Sequence, residues 1–485
     1  MKKKKILPII IVVLLISGTI TFENVKKRYH YLTDTSVQLL NSEKENNKLI
    51  NKIKENEKEI ESLLKYFEGD NLQNLEFDYV EQEIKELGKH KIKIETFSNP
   101  FLGLLGKRAS LELNNNNVFL ITGNGDIFYS KNFDVRDNKI KSERIETNLK
   151  SLLNPDYLSW ANAPFKDIII KNSKVYVSLT NWRRNPILDK TYTEDVPFAH
   201  FKDNCFFAEV FVADYSTQKM EFKKFFTMKD CMPLFNNSVG TILEKFKDDE
   251  ILLTVGDHGS CGKLASNYPQ KDNHLAGKII KINEKNGAFK ILSKGHRNQQ
   301  GIFYDSDENI IISTEHGPKG GDEININYLS EKSGEIKNYG WGSASYGEHY
   351  PTNEKYHAKV IAACPVKKSH SENNFIEPIK FFTPSIAITQ VIKENQFIQE
   401  NKDYYTIYFT SLGYTAKKGR RSFHKINLKK NDGQKLSLVD HEIVTIGNRI
   451  RDMIYIKEIK SFVLFMELTG SKKLGGTIAI ISLVD

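Results

Sequence analysis

Glu315-His-Gly-Pro-Lys-Gly-Gly-Asp-Glu-Ile-Asn325 is the stretch on which the reading of the fold turns. It separates two short runs of strand-forming residues, Ile310-Ile-Ile-Ser-Thr314 and Glu323-Ile-Asn-Ile-Asn327, and so reads as the connection of a hairpin. Pro318 offers a carbonyl but no N–H and biases Gly317 toward extended geometry, while Gly320 and Gly321 admit positive φ. Backbone carbonyls can therefore turn outward, and outward carbonyls are ligands for a hard cation such as Ca²⁺; a soft metal would want Cys or His. A conformationally demanding turn with no ligand accounts for the same residues.

Two further segments carry chemistry of a related kind. Gly295-His-Arg-Asn-Gln-Gln-Gly301 is a polar turn ahead of Ile302-Phe303-Tyr304 that sets the cation Arg297 beside the amide Asn298. Alone it reads equally as a hydrogen-bonded β-turn. Asn448-Arg-Ile-Arg-Asp452 opens a strand, and residues i and i+2 of a strand face one way, so Arg449 and Arg451 project together. Paired guanidinium groups suit a ligand bearing several carboxylates; the alternative is a cationic strand face bridged to local acids.

Outward from these motifs, short runs rich in Val, Ile, Phe and Tyr recur from about residue 90, each ended by Gly, Asn or Asp. They include Lys174–Leu179, Glu250–Val255, Lys278–Asn283, Asn309–Thr314, Glu323–Leu329, Tyr404–Ser411, Ser422–Leu428, Met453–Lys457, Ser461–Glu467 and Thr477–Leu483. No long helical pattern lies between them. So many short antiparallel strands over residues 90–485 favour an all-β propeller over a single sandwich, since radial repetition leaves only short, protected edges. WD and kelch signatures are absent from the sequence.

Residues 1–22 differ: the basic Lys2 to Lys5 run precedes a nearly uncharged stretch from Ile6 to Phe22, about the shortest that spans a bilayer. It contains no small-x-small cleavage site and no lipobox cysteine, which favours an uncleaved signal anchor over a removed signal peptide and places the bulk of the chain outside the cytoplasm. Within residues 23–70, Leu32, Leu39, Ile53 and Ile60 recur in register with Leu49 and Leu63, a heptad seam interrupted by Thr35, Ser42, Asn46 and Asn56. That pattern reads as a weak dimeric coiled coil or as a single solvated stalk helix. The net charge of +9 is spread along the 485 residues, which argues against a nucleic-acid partner. Cys205, Cys231, Cys261 and Cys364 lack metal-ligand spacing, leaving either disulfides or buried thiols.

Taken together, Val255-Gly-Asp-His-Gly259, Gly277-Lys-Ile-Ile-Lys-Ile282, the Arg297 turn, the Glu315 loop, Asn338-Tyr-Gly-Trp341 and the Arg449 segment resemble, in order and wording, the soluble pyrroloquinoline-quinone (PQQ) dependent sugar dehydrogenases, the glucose/sorbosone and aldose dehydrogenases. The resemblance is densest from about residue 235 to 345 and does not include the anchor and stalk. It implies a six-bladed β-propeller, here preceded by the anchor and the coiled-coil helix, with PQQ over the central channel and its reactive carbonyl polarised by Ca²⁺. By the same resemblance Arg297 and Asn298 bind the quinone, and His316 stands where a cofactor-contacting Gln or His is found. Gly317 and Pro318 give backbone ligands to Ca²⁺, Arg449 and Arg451 bind carboxylates, Ser385 supplies a hydroxyl, and the cofactor lysine falls at Lys417 or Lys418. Asn162 takes the place of an early glutamine.

One departure matters for chemistry. The family's general-base His aligns with Asn237, and a carboxamide has no useful pKa near neutrality. The neighbouring family Arg is replaced by Thr241. Three readings follow: a membrane-anchored, extracytoplasmic aldose dehydrogenase that passes electrons to an acceptor and uses another base, such as His258 or His316, or whose base loop is misaligned here; a propeller that binds or senses quinone or sugar without fast chemistry; and a coiled-coil-dimerised scaffold at the membrane.

Overall fold

The computed structural model describes residues 74–99, 102, 108–153, 163–184, 204–230, 232, 239–258, 261–262, 265–329, 335–348, 365–399, 403–413, 419–431, 435–467 and 476–484. The anchor at 1–22 and the stalk at 23–70 lie outside them. Among the described residues, no helix is long and apolar enough to cross a membrane.

The strands group into antiparallel four-stranded units, here called blades, in chain order. Blade one is Ala109–Asn114, Asn117–Thr122, Ile127–Ser130 and Lys139–Thr147; blade two is Phe165–Lys171, Lys174–Arg184, Asn204–Asp214 and Lys223–Thr227. Blade three is Gly240–Phe246, Glu250–Val255, Lys278–Asn283 and Phe289–Lys294; blade four is Gln299–Asp305, Ile310–Glu315, Asp322–Tyr328 and Lys380–Phe382. Blade five is Ile388–Lys393, Tyr404–Ser411, Ser422–Lys430 and Leu436–Thr445. Blade six takes Arg449–Ile456, Ser461–Glu467 and Gly476–Leu483 from the end of the chain and His90–Asn99 from its first described part. The first strand of each blade packs against the first strand of the next, and that of blade six against that of blade one, so the innermost strands form a closed ring. This is the propeller arrangement.

Closure rests on the pairing of His90–Asn99 with Gly476–Leu483, in register from Ile92 opposite Leu483 to Asn99 opposite Gly476. That ladder joins residues remote in sequence, so the ring opens only if it breaks. Asn74–Leu87 pairs with both His90–Asn99 and Lys139–Thr147, bridging blades six and one. The described sheet therefore already includes Asn74–Leu87, ahead of residue 90. Leu75 and Phe77 are fully buried between those blades, whereas Asp78 to Glu86 are mostly exposed and charged.

Each neighbouring pair of blades shares an apolar core, which is why strands such as Glu250–Val255 read as continuous apolar runs: both faces are covered. The core between blades three and four is small, formed by Ile242, Phe246, Leu252, Ile279, Ile302 and Ile311. The excursion after Tyr328 fills the remainder, with Lys337–Asn338 added to the edge of blade three and Tyr339 stacked on His296. Cys205, in blade two, is disulfide-bonded, which settles that cysteine against the buried-thiol alternative.

Candidate functional site

In a four-stranded up-and-down blade, the loop entering the first strand and the loop between the second and third strands emerge at the same end. One face of the ring therefore gathers Arg108, the turn 295–298, the loop 316–321, the segment 383–387, the turn 446–448 and the residues Gly256 to His258. The innermost strands approach this face with a repeated irregularity. Register shifts fall between Phe165 and Asp167, Gly240 and Leu243, Gln299 and Gly301, Ile388 and Val391, and Ile450 and Asp452. Such bulges re-aim side chains, and the residues inside the tightest of them are Lys166, Gln300 and Arg451.

The Gly-rich loop is held by one carboxylate. Asp322 Oδ1 accepts the Gly317 N–H at 3.1 Å, and Oδ2 accepts those of Ile386 at 2.9 Å and Ala387 at 2.6 Å, locking the loop to segment 383–387. A Cβ on Gly317 would lie 2.2 Å from the Gly320 carbonyl oxygen, so the loop requires glycine there. Gly320 and Gly321 take φ of +91° and +68°, as the sequence led one to expect. Pro318 is buried, and its ring closes against Gly347.

Arg297 is fastened on every side. Its backbone N–H donates to Glu315 Oε2 at 2.7 Å, and its Nη1 donates to the carbonyls of His316 at 2.9 Å and Gly317 at 2.7 Å. The guanidinium lies 5.4 Å from the centre of the Trp341 ring, Trp341 Nε1 donates to Asp257 Oδ2 at 2.7 Å, and the Asp257 N–H returns to the Arg297 carbonyl at 2.7 Å. The Gly317 carbonyl is thus engaged by the Arg297 guanidinium, which a hard cation would have to displace or share.

His316 Nε2 lies 2.7 Å from the Ile388 carbonyl, which can only accept, so Nε2 carries the proton and Nδ1 accepts from Asn298 Nδ2 at 3.4 Å. Asn298 Oδ1 in turn accepts from Gln300 Nε2 at 2.9 Å. Burial lowers the His316 pKa, and the nearby charges of Arg297 and Arg451 add to the effect. Arg449 and Arg451 do project together, and both grip Glu467: Arg449 Nε is 3.1 Å from Oε2 and Arg451 Nε is 2.7 Å from Oε1. Ser385 Oγ accepts the Gly320 N–H at 2.9 Å, and the Ser385 carbonyl accepts Arg420 Nε at 2.9 Å.

The structure thus brings Arg297, Asn298, His316, Gly317, Pro318, Ser385, Arg449 and Arg451 to one face. Asn237, Asn162, Lys417 and Lys418 lie outside the described residues. From the basic run that contains Lys418, Arg420 reaches Ser385, and Arg421 Nε donates to the Gly413 carbonyl at 3.3 Å, an acceptor shared with Arg449 Nη1.

Sequence reasoning missed Arg108 and Lys166. Lys166 is buried and donates to the Ala163 carbonyl at 2.6 Å. Burial lowers its pKa well below the ordinary value, with Arg108 and Arg451 adding repulsion. Burial and then Arg451 bring Arg108 down to about 10. The signal available in the sequence was positional: both residues fall at the mouth of an innermost strand, the level at which Arg451 sits in blade six.

Cations crowded enough to depress one another want anions. Arg108 and Arg297 each leave a buried Nε without a hydrogen-bond partner, and Glu467 serves two guanidinium groups at once. The donor set fits a ligand with several carboxylates, with Arg297, Arg449, Arg451, Arg108 and Lys166 around it, whereas the Gly317 carbonyl would serve a hard cation only by giving up its Arg297 hydrogen bond. Among the described residues, no three His, Cys, Asp or Glu side chains cluster as a metal site, which leaves backbone carbonyls as the metal-binding chemistry on offer.

Comparison with known proteins agrees with this geometry. An uncharacterized protein of Synechocystis, slr1608, is 28% identical over 232 residues, 44% of this chain and 50% of that protein. The aldose sugar dehydrogenase YliI of Escherichia coli is 44% identical over 69 residues, 14% of this chain and 17% of its own length. The matched stretches thus span half or less of these relatives. Among solved structures, the soluble aldose sugar dehydrogenase of Escherichia coli in its apo-form superposes with a TM-score of 0.52 at 17% identity, covering 81% of this chain and 99% of that one. A glucose dehydrogenase gives 0.50 at 17% identity, covering 78% and 98%. At such identities the superpositions speak for the fold alone. Residues 171–467, well over half of the chain, match the glucose/sorbosone dehydrogenase family, and the chain belongs to that family.

Proposed function

We propose that the chain is a membrane-anchored, extracytoplasmic sugar dehydrogenase that binds PQQ and Ca²⁺ at the mouth of the six-bladed ring, oxidises an aldose and passes electrons to an external acceptor. The observation that carries this reading is the convergence of Arg297, Arg449, Arg451, Arg108 and Lys166 on one face, with buried guanidinium nitrogens of Arg297 and Arg108 left unpartnered. When bound, the quinone supplies the two-electron acceptor and Ca²⁺ the polarising charge. The protein's share is to hold and orient. Arg449 and Arg451 take carboxylates, which compete with Glu467 for them; Arg297 and Asn298 fix one edge; Gly317 and Pro318 present carbonyls to the metal. The hydroxyl of Ser385 and the amine of Lys418 complete the set by resemblance.

His316 is a positioning residue in this scheme, because both of its ring nitrogens are engaged and the Nδ1 contact orients Asn298. The anchor is supported by the apolar run from Ile6 to Phe22, and an oxidising compartment by the Cys205 disulfide. Residues 23–70 supply a dimerising coiled coil in this reading.

A second reading is favoured by Asn237: a propeller that keeps the quinone or sugar site for binding or sensing, since loss of a general base forfeits on the order of 10²–10⁴-fold in rate. Full-length protein supplied with Ca²⁺ and PQQ and assayed for aldose-dependent dye reduction separates the two. Turnover supports the dehydrogenase; bound quinone without turnover supports the sensor, and a gain on Asn237→His would then mark a dormant enzyme.

A further inference from the structure

We infer that His258 is the proton acceptor of this site, the imidazole that serves in place of a base at Asn237. The inference rests on the dehydrogenase reading above. His258 is 1% exposed, yet neither ring nitrogen has a hydrogen-bond partner among the described residues. Its backbone sits at φ +49°, in the left-handed region that His, Asn and Asp enter more readily than other side chains. A buried imidazole with neither nitrogen satisfied carries a cost that calls for a ligand or a functional role.

The placement is specific. Gly256 N–H donates to the Val239 carbonyl at 2.8 Å and the next residue, Asp257, is bonded both to the Arg297 carbonyl and to Trp341 Nε1, at 2.7 Å each. The residue before His258 is thus part of the rigid unit that fixes Arg297. On its other side the charges that bear on the ring are Lys166 and His274. Lys166 occupies the blade-two bulge beside Arg451, and His274 stacks on Tyr268 at 3.8 Å with Asp230 3.8 Å from its Nδ1. The segment Gly256 to His258 thus lies on the site face, anchored through Asp257 to the unit that fixes Arg297. Burial, then His274 and Lys166, bring its pKa down to about 3, too weak a base for the step by itself, so the role requires carboxylates bound to Arg297 and Arg451 to raise it. In the role assigned to it, a His258 nitrogen would take the carbinol O–H proton as the C–H bond breaks with its electron pair leaving as hydride, for which a bound quinone would be the acceptor, and the carbonyl would form.

The test uses the full-length chain and His258→Gly, because glycine suits φ +49° and leaves a space the size of an imidazole. Quinone binding, followed by absorbance, is expected to match wild type, kcat to fall by ~10²-fold or more with KM little changed, and added imidazole to restore turnover in a concentration-dependent way. Independently of activity, the ring ¹⁵N resonances that disappear in His258→Gly are expected to move toward the protonated position when PQQ and Ca²⁺ are added to wild type. Quinone binding with turnover within about threefold of wild type in the variant, a loss that imidazole does not rescue, or ring resonances unmoved by PQQ overturns the assignment of His258 alone. Wild-type protein that binds no quinone overturns the cofactor reading, and the base assignment with it.

Discussion

Glu467, half-buried, and Asp167, buried, are carboxylates near the site face, and they are opposites. Burial alone would raise the Glu467 pKa, but Arg451 and Arg449 outweigh it and hold the carboxyl below its ordinary value. For Asp167, burial and then the neighbouring Asp452 push the pKa up to about 7. Ser110 Oγ lies 2.5 Å from Asp167 Oδ1 and 2.6 Å from Asp452 Oδ2, and one hydroxyl hydrogen can serve only one of them, so the second contact calls for a carboxyl proton. Asp167 Oδ2 also accepts the Leu243 N–H at 2.8 Å, so this clasp joins blades one, two, three and six. The difference teaches that guanidinium groups, not depth, decide the charge state. At the mouth an ionised carboxylate holds arginines that a ligand can claim; below it a proton-sharing pair closes the ring.

The comparison breaks most readily at Glu467. Glu467→Gln leaves two guanidinium groups without their carboxylate and is expected to cost about 3–5 kcal/mol in urea unfolding, with saturating PQQ recovering part of the loss. Ser110→Ala leaves the two aspartates without the bridging hydroxyl and is expected to cost about 1–3 kcal/mol, with no effect on PQQ affinity. Arg451→Lys keeps the charge but not the fork, and about 1 kcal/mol of stability is expected to go, together with a loss of PQQ affinity.

The pH dependence separates the two carboxylates, because their contributions are lost in different windows, one above and one below the ordinary carboxylate range. Asp167 has its folded pKa raised, so its contribution is full below the unfolded value of about 4 and is lost as pH rises through about 7. Glu467 has its folded pKa lowered, so its contribution is present above its unfolded value and is lost as pH falls through the folded one. The expected outcome is a melting temperature that declines from about pH 5 to about pH 7 in wild type and flattens in Asp167→Asn, read by thermal unfolding at matched ionic strength.

Much of the ring could be read from the sequence because blades bury both faces of their strands. Glu250–Val255, Lys278–Asn283, Tyr404–Ser411 and Ser461–Glu467 run as their apolar content predicts. Asn74–Leu87 escaped because only Leu75 and Phe77 mark its buried end while the remainder is mostly exposed and charged. The bulges escaped too: a one-residue shift of register leaves no trace in hydrophobic period, although it is what aims Lys166, Gln300 and Arg451. The site motifs were legible where glycine and proline constrain the backbone, as at 316–321, and where arginines alternate on a strand, as at Arg449 and Arg451. Arg108 and Lys166 are single cations in ordinary surroundings, and only closure of the ring sets them beside Arg451.

The central claim, that the cation-lined mouth holds a quinone bearing several carboxylates, is tested most directly by calorimetric titration of the full-length chain with PQQ in Ca²⁺, beside the Arg449→Ala/Arg451→Ala double variant. The account predicts one quinone per chain in wild type and affinity weaker by ~10²-fold or more in the double variant. Equal affinity in the two proteins, or no binding to either, would contradict it.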